Sequence, residues 1–491
     1  MVSFTALVSA VVLIAGAHAL IHPRKKVLVL GAGVSGISTA KYLQEGGVGD
    51  FLVLEGQDYI GGRMKLVPFA GYKVEAGANW IHFATDEGSK ALWDLKAKVN
   101  LRGIWSNYSD IIIRNESGAD VTDLKLVHQL EKAESLLEDE QEARKSKKLK
   151  DIPGSVGLSL LGWKRPRTPV GQVLEYFSID FEYSVRLEQV SFNNMDARET
   201  DFYSTDQRGF YNIFNETVET FKDKIKLNER VARVKYNNTG VEVTTSSGDV
   251  YSADYVVCTF STGVLASDMV EFVPPLPKWK QEAYLSHPMS IYTKIFLKFD
   301  HKFWDDNEYI LHASMKRGYY PVFQDLARPG IFPVNSSILL VTVTDTESRR
   351  IERQPFAETK REIVEMLKKI YGNNVTEPTD IFYDRWSQNP YIRGAYSEVV
   401  VGTGSKSFEE LAKNLGNLHF AGEAYDEEWY NYLQGAWLTG QQKGKKLSSL
   451  IKCLEAGRGD CIPTAGSHGT RSTGAHFFIA VILSFVISSN F

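Results

Sequence analysis

The sequence predicts a mixed α/β fold that starts from a parallel strand–helix–strand unit, and three features carry that prediction. Residues 26–30 form a short apolar run closed by glycine, the pattern of a strand buried on both faces. A helical pattern follows, with Ile37, Ala40 and Leu43 on one face and Gly46-Gly47 as its stop. Residues 51–54 then form a second buried strand, which closes the unit.

The chain has 491 residues, of which 43% are apolar, enough for two domains with full cores. A net charge of -4 argues against a general nucleic-acid binder and suits a cationic partner. Residues 127–151 are highly charged, acids first and bases last, which complements the dipole of a helix with a solvated face. Residues 229–235 and 241–245 alternate in polarity across Asn237-Asn-Thr-Gly240, which predicts a hairpin. Residues 358–370 carry helical periodicity, with Ile363, Met366, Leu367 and Ile370 on one face.

Both ends read as processing signals. Residues 1–19 fit a signal peptide, with an apolar run from Phe4 to Ala17 and the small-x-small sequence Ala17-His-Ala19. Residues 456–491 fit a polar spacer and an apolar C-terminal signal of the GPI type, with a single-pass tail anchor as the alternative. N-x-S/T sequons start at Asn107, Asn115, Asn215, Asn237, Asn335 and Asn374. These features predict the secretory pathway and an outer-surface location, with membrane contact only through the C-terminal anchor. Cys453 and Cys461 bracket a short polar loop and could pair in an oxidising compartment, whereas Cys258 reads as a buried strand thiol. No metal site is predicted, and the oligomeric state is left open.

Gly31-Ala-Gly33-Val-Ser-Gly36 lies between the first strand and the helix. In such a turn the first glycine allows the bend and the second lets backbone amides and Ser35 approach a pyrophosphate. The third lets the helix pack on the strand. Glu55, at the end of the second strand, is placed to accept hydrogen bonds from an adenosine ribose. This much fits NAD or FAD. Gly61-Gly62-Arg63 then adds a second backbone approach and a counter-charge for a diphosphate.

The run from Glu55 to Arg63 resembles the glutamate-to-GGR segment of the flavin-containing amine oxidase superfamily, and the resemblance extends over residues 24–455. Glu75-Ala-Gly77-Ala78-Asn-Trp80 is similar to the family's next flavin-contacting loop, and Asp206-Gln-Arg-Gly209 to its helix-opening turn. Val231 takes the place of a backbone contact to adenine, Trp386 that of an aromatic near the isoalloxazine, and Glu423 that of a ribityl-phosphate contact. Lys294, in Tyr292-Thr-Lys294, matches the lysine that holds a water at flavin N5. The text is nearest to plant extracellular polyamine oxidases of the maize type, in which Glu182 corresponds to a tunnel acid, Tyr183 to its aromatic neighbour and Tyr432 to the closing tyrosine. Two positions depart from that type: His82 stands where a second glutamate is expected, and Asn431 replaces a glycine.

The resemblance implies non-covalent FAD, since no cysteine occurs between Trp386 and Tyr432. It also implies a Rossmann-like, discontinuous FAD-binding domain (24–105, 200–285, 395–455) and a substrate-binding domain (106–199, 286–394). The implied reaction oxidises spermine or spermidine with O2 beside a secondary amine, giving an aminoaldehyde, an amine and hydrogen peroxide. Monoamine or L-amino-acid oxidation, and a silent surface flavoprotein, are the alternatives.

Overall fold

The computed structural model describes residues 19–196, 201–457 and 461, so the N-terminal and C-terminal signal readings lie almost wholly outside the described residues. Two larger sheets organise the chain. In the first, β1 (Lys25–Leu30) runs parallel to β2 (Phe51–Leu54) on one side and to β3 (Val250–Cys258) on the other. Helix α1 (Val34–Glu45) joins β1 to β2 and stops at Gly46, as its periodicity predicts. The predicted hairpin forms from Val231–Asn237 and Gly240–Thr245 and joins β3 antiparallel.

Residues 27–30 of β1 are fully buried because both faces are covered. Val27 and Val29 pack with Ile37, Ala40 and Leu43 of α1 and with Trp437, Leu447 and Ile451. Leu28 and Leu30 pack on the hairpin layer of Val234 and Val243. The three residues Trp437, Leu447 and Ile451 belong to α2 (Leu433–Glu455), which lies against α1. A Cβ at Gly440 would sit 2.3 Å from the Ser35 carbonyl oxygen, so only glycine allows this approach. Ser38 donates to the Trp437 carbonyl at 2.7 Å, fixing the pair in register.

In the second sheet β4 (Tyr292–Lys298) lies between Asp380–Phe382 and Ile338–Thr344. Ile295 and Leu297 face the predicted helix, which spans Phe356–Tyr371 and inserts Ile363, Met366 and Leu367. With side chains alternating along the strand, Lys294 and Phe296 face the other way.

The charged stretch differs from the prediction. It forms two helices, Leu124–Glu134 and Leu137–Ser146. Ser135 donates its hydroxyl to the Lys132 carbonyl, a local bond that competes with the helix ladder at the break. Nor is the face fully solvated: Arg144 is buried and donates to the Lys150 carbonyl at 2.7 Å. Cys453 and Cys461 form a disulfide, and Cys258 is a buried free thiol.

Candidate active site

The turn from β1 into α1 lines a cavity. Gly31 has φ +105°, and a Cβ at Gly36 would lie 2.0 Å from the Gly31 carbonyl oxygen, so the helix start packs directly on the turn. A Cβ at Gly33 would meet nothing within 4 Å, although Gly33 lines the cavity. Gly33 pairs across a backbone bridge with Gly61, whose N–H donates to the Ala32 carbonyl at 3.0 Å. The Ser35 hydroxyl lines the same space and is buried with no hydrogen-bond partner among the described residues. Two backbone turns, a helix N-terminus and an orphan hydroxyl fit a dinucleotide pyrophosphate.

Glu55 accepts from the Ala32 N–H at 2.6 Å and the Gln57 N–H at 2.9 Å. Burial raises its carboxyl above the usual range, against those bonds. A carboxylate has further lone pairs, so a ribose hydroxyl can still donate to it. Val231 lines the same cavity, with Glu229 and Arg230.

Arg63 donates to Glu423 at 2.8 Å and to the Ala395 carbonyl at 3.0 Å. Its first partner is thus a protein carboxylate, which holds the guanidinium beside the cavity. Glu423 also accepts from the Ser397 hydroxyl and the Asn431 N–H. Asn431 adopts φ +60°, the left-handed conformation that asparagine tolerates in place of glycine. Trp386 is buried and donates to the Ala76 carbonyl at 3.2 Å, which fixes its ring against the Gly77–Ala78 loop.

Lys294 reaches this region from β4. Its ammonium donates to the Gly77 carbonyl at 2.6 Å and to Asn79 Oδ1, and lies 4.8 Å from the centre of the Trp80 ring. Burial drives it down to about 7, with Glu75 opposing. Burial also lifts the Glu75 carboxyl to about 7, against a bond from the Phe210 N–H and the Lys294 charge.

Another part of the lining is aromatic and acidic. The helix that opens at Pro169–Glu175 widens into a π-turn over Tyr176–Asp180 before the last turn, Phe181–Tyr183. Such a turn re-aims the residues after it, and Phe181 and Glu182 line the cavity. Tyr432 donates its hydroxyl to Glu182 at 3.0 Å. Burial and the Glu182 charge hold that phenol well above its usual range. His82 faces Tyr432 with ring centres 5.0 Å apart, and Tyr108, Tyr292 and Tyr396 complete the wall.

The cavity therefore brings together Gly31, Gly33, Ser35, Glu55, Arg63, Gly77, Ala78, His82, Glu182, Val231, Lys294, Trp386, Glu423 and Tyr432. Gly36 does not line it and acts by helix packing. Tyr183 lies outside the lining, its hydroxyl accepting from the Asp196 N–H at 2.7 Å. Sequence reasoning gave no role to Tyr108, Tyr396 or Asp201, which sit in no motif. The lining, with the glycine turns and Glu55 on one hand and Glu182, His82 and the tyrosines on the other, suits a dinucleotide together with a second ligand.

Fold and site thus define a flavoprotein of the amine-oxidising class. Residues 34–443 match the family described as flavin containing amine oxidoreductase, and the chain belongs to that family. It is 36% identical to polyamine oxidase 1 of Zea mays over 464 residues, covering 88% of this chain and 91% of the relative. It is 34% identical to polyamine oxidase 7 of Oryza sativa subsp. japonica, covering 85% of this chain and 93% of the relative. A solved putrescine oxidase bound to putrescine shares the fold, with a TM-score of 0.70 at 17% identity over 86% of this chain and 98% of that one. The cofactor is FAD, held non-covalently: among the described residues no cysteine lines the cavity.

Proposed function

We propose that the protein oxidises polyamines such as spermine and spermidine at a carbon beside a secondary nitrogen, with O2 as the final electron acceptor. One observation supports this above the rest. One cavity is lined by a buried lysine amine, by the carboxylate of Glu182, and by Tyr108, Phe181, Tyr292 and Tyr396. A long, flexible polycation needs those parts: apolar walls for its methylenes, ring faces for its ammonium groups, and an anion at a distance from the reacting carbon.

Bound FAD supplies two-electron oxidation. Glu182 pairs with a distal ammonium, and its bond from Tyr432 fixes its direction. His82 takes a hydrogen bond from a substrate nitrogen. The dry aromatic wall disfavours the ammonium form of the reacting nitrogen, which must be neutral to release hydride. Lys294, anchored by Gly77 and Asn79, holds a water close to the reacting centre. Hydrolysis of the imine product then gives an aminoaldehyde and an amine, and oxygen leaves as hydrogen peroxide.

The same proposal includes passage through the secretory pathway and display on the outer surface by a GPI anchor. The exposed sequon asparagines Asn107, Asn215, Asn237, Asn335 and Asn374 support it, as does the Cys453–Cys461 pair.

The test is a peroxide assay with spermine, spermidine, putrescine, benzylamine and L-lysine, with mass spectrometry of the products. Turnover of spermine and spermidine well above the others is expected. Preference for benzylamine or lysine would overturn the reading.

A further inference from the structure

We propose that Asp201 is a positioning residue that fixes the tautomer of His82 and so makes the imidazole a hydrogen-bond acceptor for substrate. The inference rests on the polyamine-oxidising reading of the cavity.

A small antiparallel sheet creates the pair. Strand Phe202–Ser204 lies between Trp80–Ile81 and Gly103–Trp105, with Ile81 opposite Phe202 and Trp105 opposite Phe202. One step beyond those strands, the same register brings His82 and Ser106 beside Asp201. The Ser106 N–H donates to the Asp201 carbonyl at 3.0 Å. The side chain of Asp201 is buried and collects three bonds. His82 Nδ1 lies 3.0 Å from Oδ2, the Tyr108 hydroxyl donates to Oδ2 at 2.8 Å, and the Phe83 N–H donates to Oδ1 at 3.2 Å. His82 and Tyr108 both line the cavity, whereas Asp201 stands behind them.

The carboxylate state follows from these contacts. Burial works against the charge, but the charge that His82 carries when protonated and the bonds from His82, Tyr108 and the Phe83 N–H outweigh it and hold the Asp201 carboxyl below its usual range. The bonds from Tyr108 and Phe83 persist when the ring is neutral, the state in which the tautomer matters. An ionised carboxylate only accepts, so the proton between it and His82 sits on Nδ1. A neutral imidazole protonated at Nδ1 carries its acceptor lone pair on Nε2. Substrate N–H groups are donors, so Asp201 sets His82 to the complementary role. The backbone of His82 is held separately, its carbonyl accepting from the Ser89 hydroxyl at 2.9 Å and from Gln434 Nε2 at 2.6 Å. Asp201 therefore acts on the ring through Oδ2, while its Oδ1 holds the next peptide through the Phe83 N–H.

Asp201→Asn reverses the tautomer with little change of shape. The Phe83 N–H claims the one amide oxygen at the Oδ1 position, which leaves the amide nitrogen facing His82 Nδ1 as a donor. The ring then carries its proton on Nε2, donor against donor with substrate. Steady-state kinetics with spermine should show KM up about 10–100-fold, the range of losses when the carboxylate partner of a metal-bound histidine is removed. The flavin spectrum should be unchanged and kcat should stay within about threefold.

A double-mutant cycle decides the route. In a His82→Gln background, Asp201→Asn should cost nothing further. An additive loss, or wild-type KM in Asp201→Asn, overturns the inference. If that variant does not fold, Tyr108→Phe serves, since it removes one bond to Asp201; its smaller effect should likewise vanish in His82→Gln, and persistence would count against the inference. Binding of 1,8-diaminooctane, followed by flavin absorbance, separates this inference from the functional reading. Wild-type protein that fails to oxidise polyamines yet binds the diamine more tightly than Asp201→Asn would remove the functional reading alone. Equal binding by both proteins would remove the inference alone, provided that wild type is active.

Discussion

Gly33→Ala tests whether the turn after β1 is shaped for a ligand or for the fold. Gly33 is the N-cap of α1, at φ -72° and ψ 178°, a conformation that alanine adopts freely. Its Cβ would meet no protein atom within 4 Å. The apoprotein should therefore roughly keep its stability: a less flexible unfolded chain contributes about 0.4–1 kcal/mol, and the poorer N-cap removes about 0.5–1 kcal/mol. The methyl group instead fills the space where Gly33 and Gly61 approach the pyrophosphate. Losing one charge-assisted bond there costs about 1.5–3 kcal/mol, which is roughly 10–150-fold in Kd. Gly36→Ala is the contrast, because its Cβ would lie 2.0 Å from the Gly31 carbonyl oxygen and something must shift. The assay is FAD titration of apoprotein by flavin fluorescence, beside thermal unfolding of both variants without FAD. Gly33→Ala should lose affinity with an unchanged melting temperature, and Gly36→Ala should lose stability. If Gly33→Ala binds FAD as tightly as wild type, the cradle assignment is wrong.

Lys294→Met keeps the apolar stem and removes the amine that bonds Gly77 and Asn79. Stopped-flow traces should show flavin reduction or reoxidation slowed by ~10²–10⁴, and wild-type rates in both half-reactions would refute the role. Glu398→Gln addresses pH and stability. Burial lifts the Glu398 carboxyl to about 8, helped by the charges of Asp196 and Glu182 and opposed by bonds from Val399 and Tyr430. The native state then holds a proton that the unfolded chain releases near 4.5, so this group's stabilisation is lost as pH rises through that window, by up to roughly 1.4 kcal/mol per pH unit. Unfolding at pH 5 and pH 8 should show a smaller decline in Glu398→Gln than in wild type, and parallel declines would count against it. Phosphatidylinositol-specific phospholipase should release the enzyme from intact cells; activity that stays with the membrane would favour a tail anchor.

The first sheet was legible because its signals are local. Residues 27–30 and 51–54 are apolar throughout, and a strand covered on both faces demands that. The hairpin was equally plain, since alternation and an Asn-Asn-Thr-Gly turn lie within a few residues of each other. The break at Ser135 was not legible. Charge order and periodicity run through it, and the competing hydroxyl bond is one local interaction among many that such a sequence allows.

The site divides along the same line. Lys294 could be read because Tyr292-Thr-Lys294 resembles the family's motif, and alternation along β4 then carries it away from the helix packed on the other face. Asp201 could not be read, because it lies 119 positions from His82 and meets it only through strand register. Electrostatics adds a second reason. The Lys294 amine and the Glu75 carboxyl are both brought to about 7, in opposite directions, by the same loss of water. Nothing in the strings Tyr-Thr-Lys or Glu-Ala-Gly announces that shift. It arises where the loop after Glu75 closes over Lys294, and it sets a basic and an acidic group close together in strength. An amine oxidation needs that environment, because its substrate nitrogen must also give up charge before it reacts. Burial that lowers the ammonium of Lys294 lowers that of an amine substrate beside it for the same physical reason, so the Gly77–Trp80 loop that covers Lys294 helps prepare the substrate.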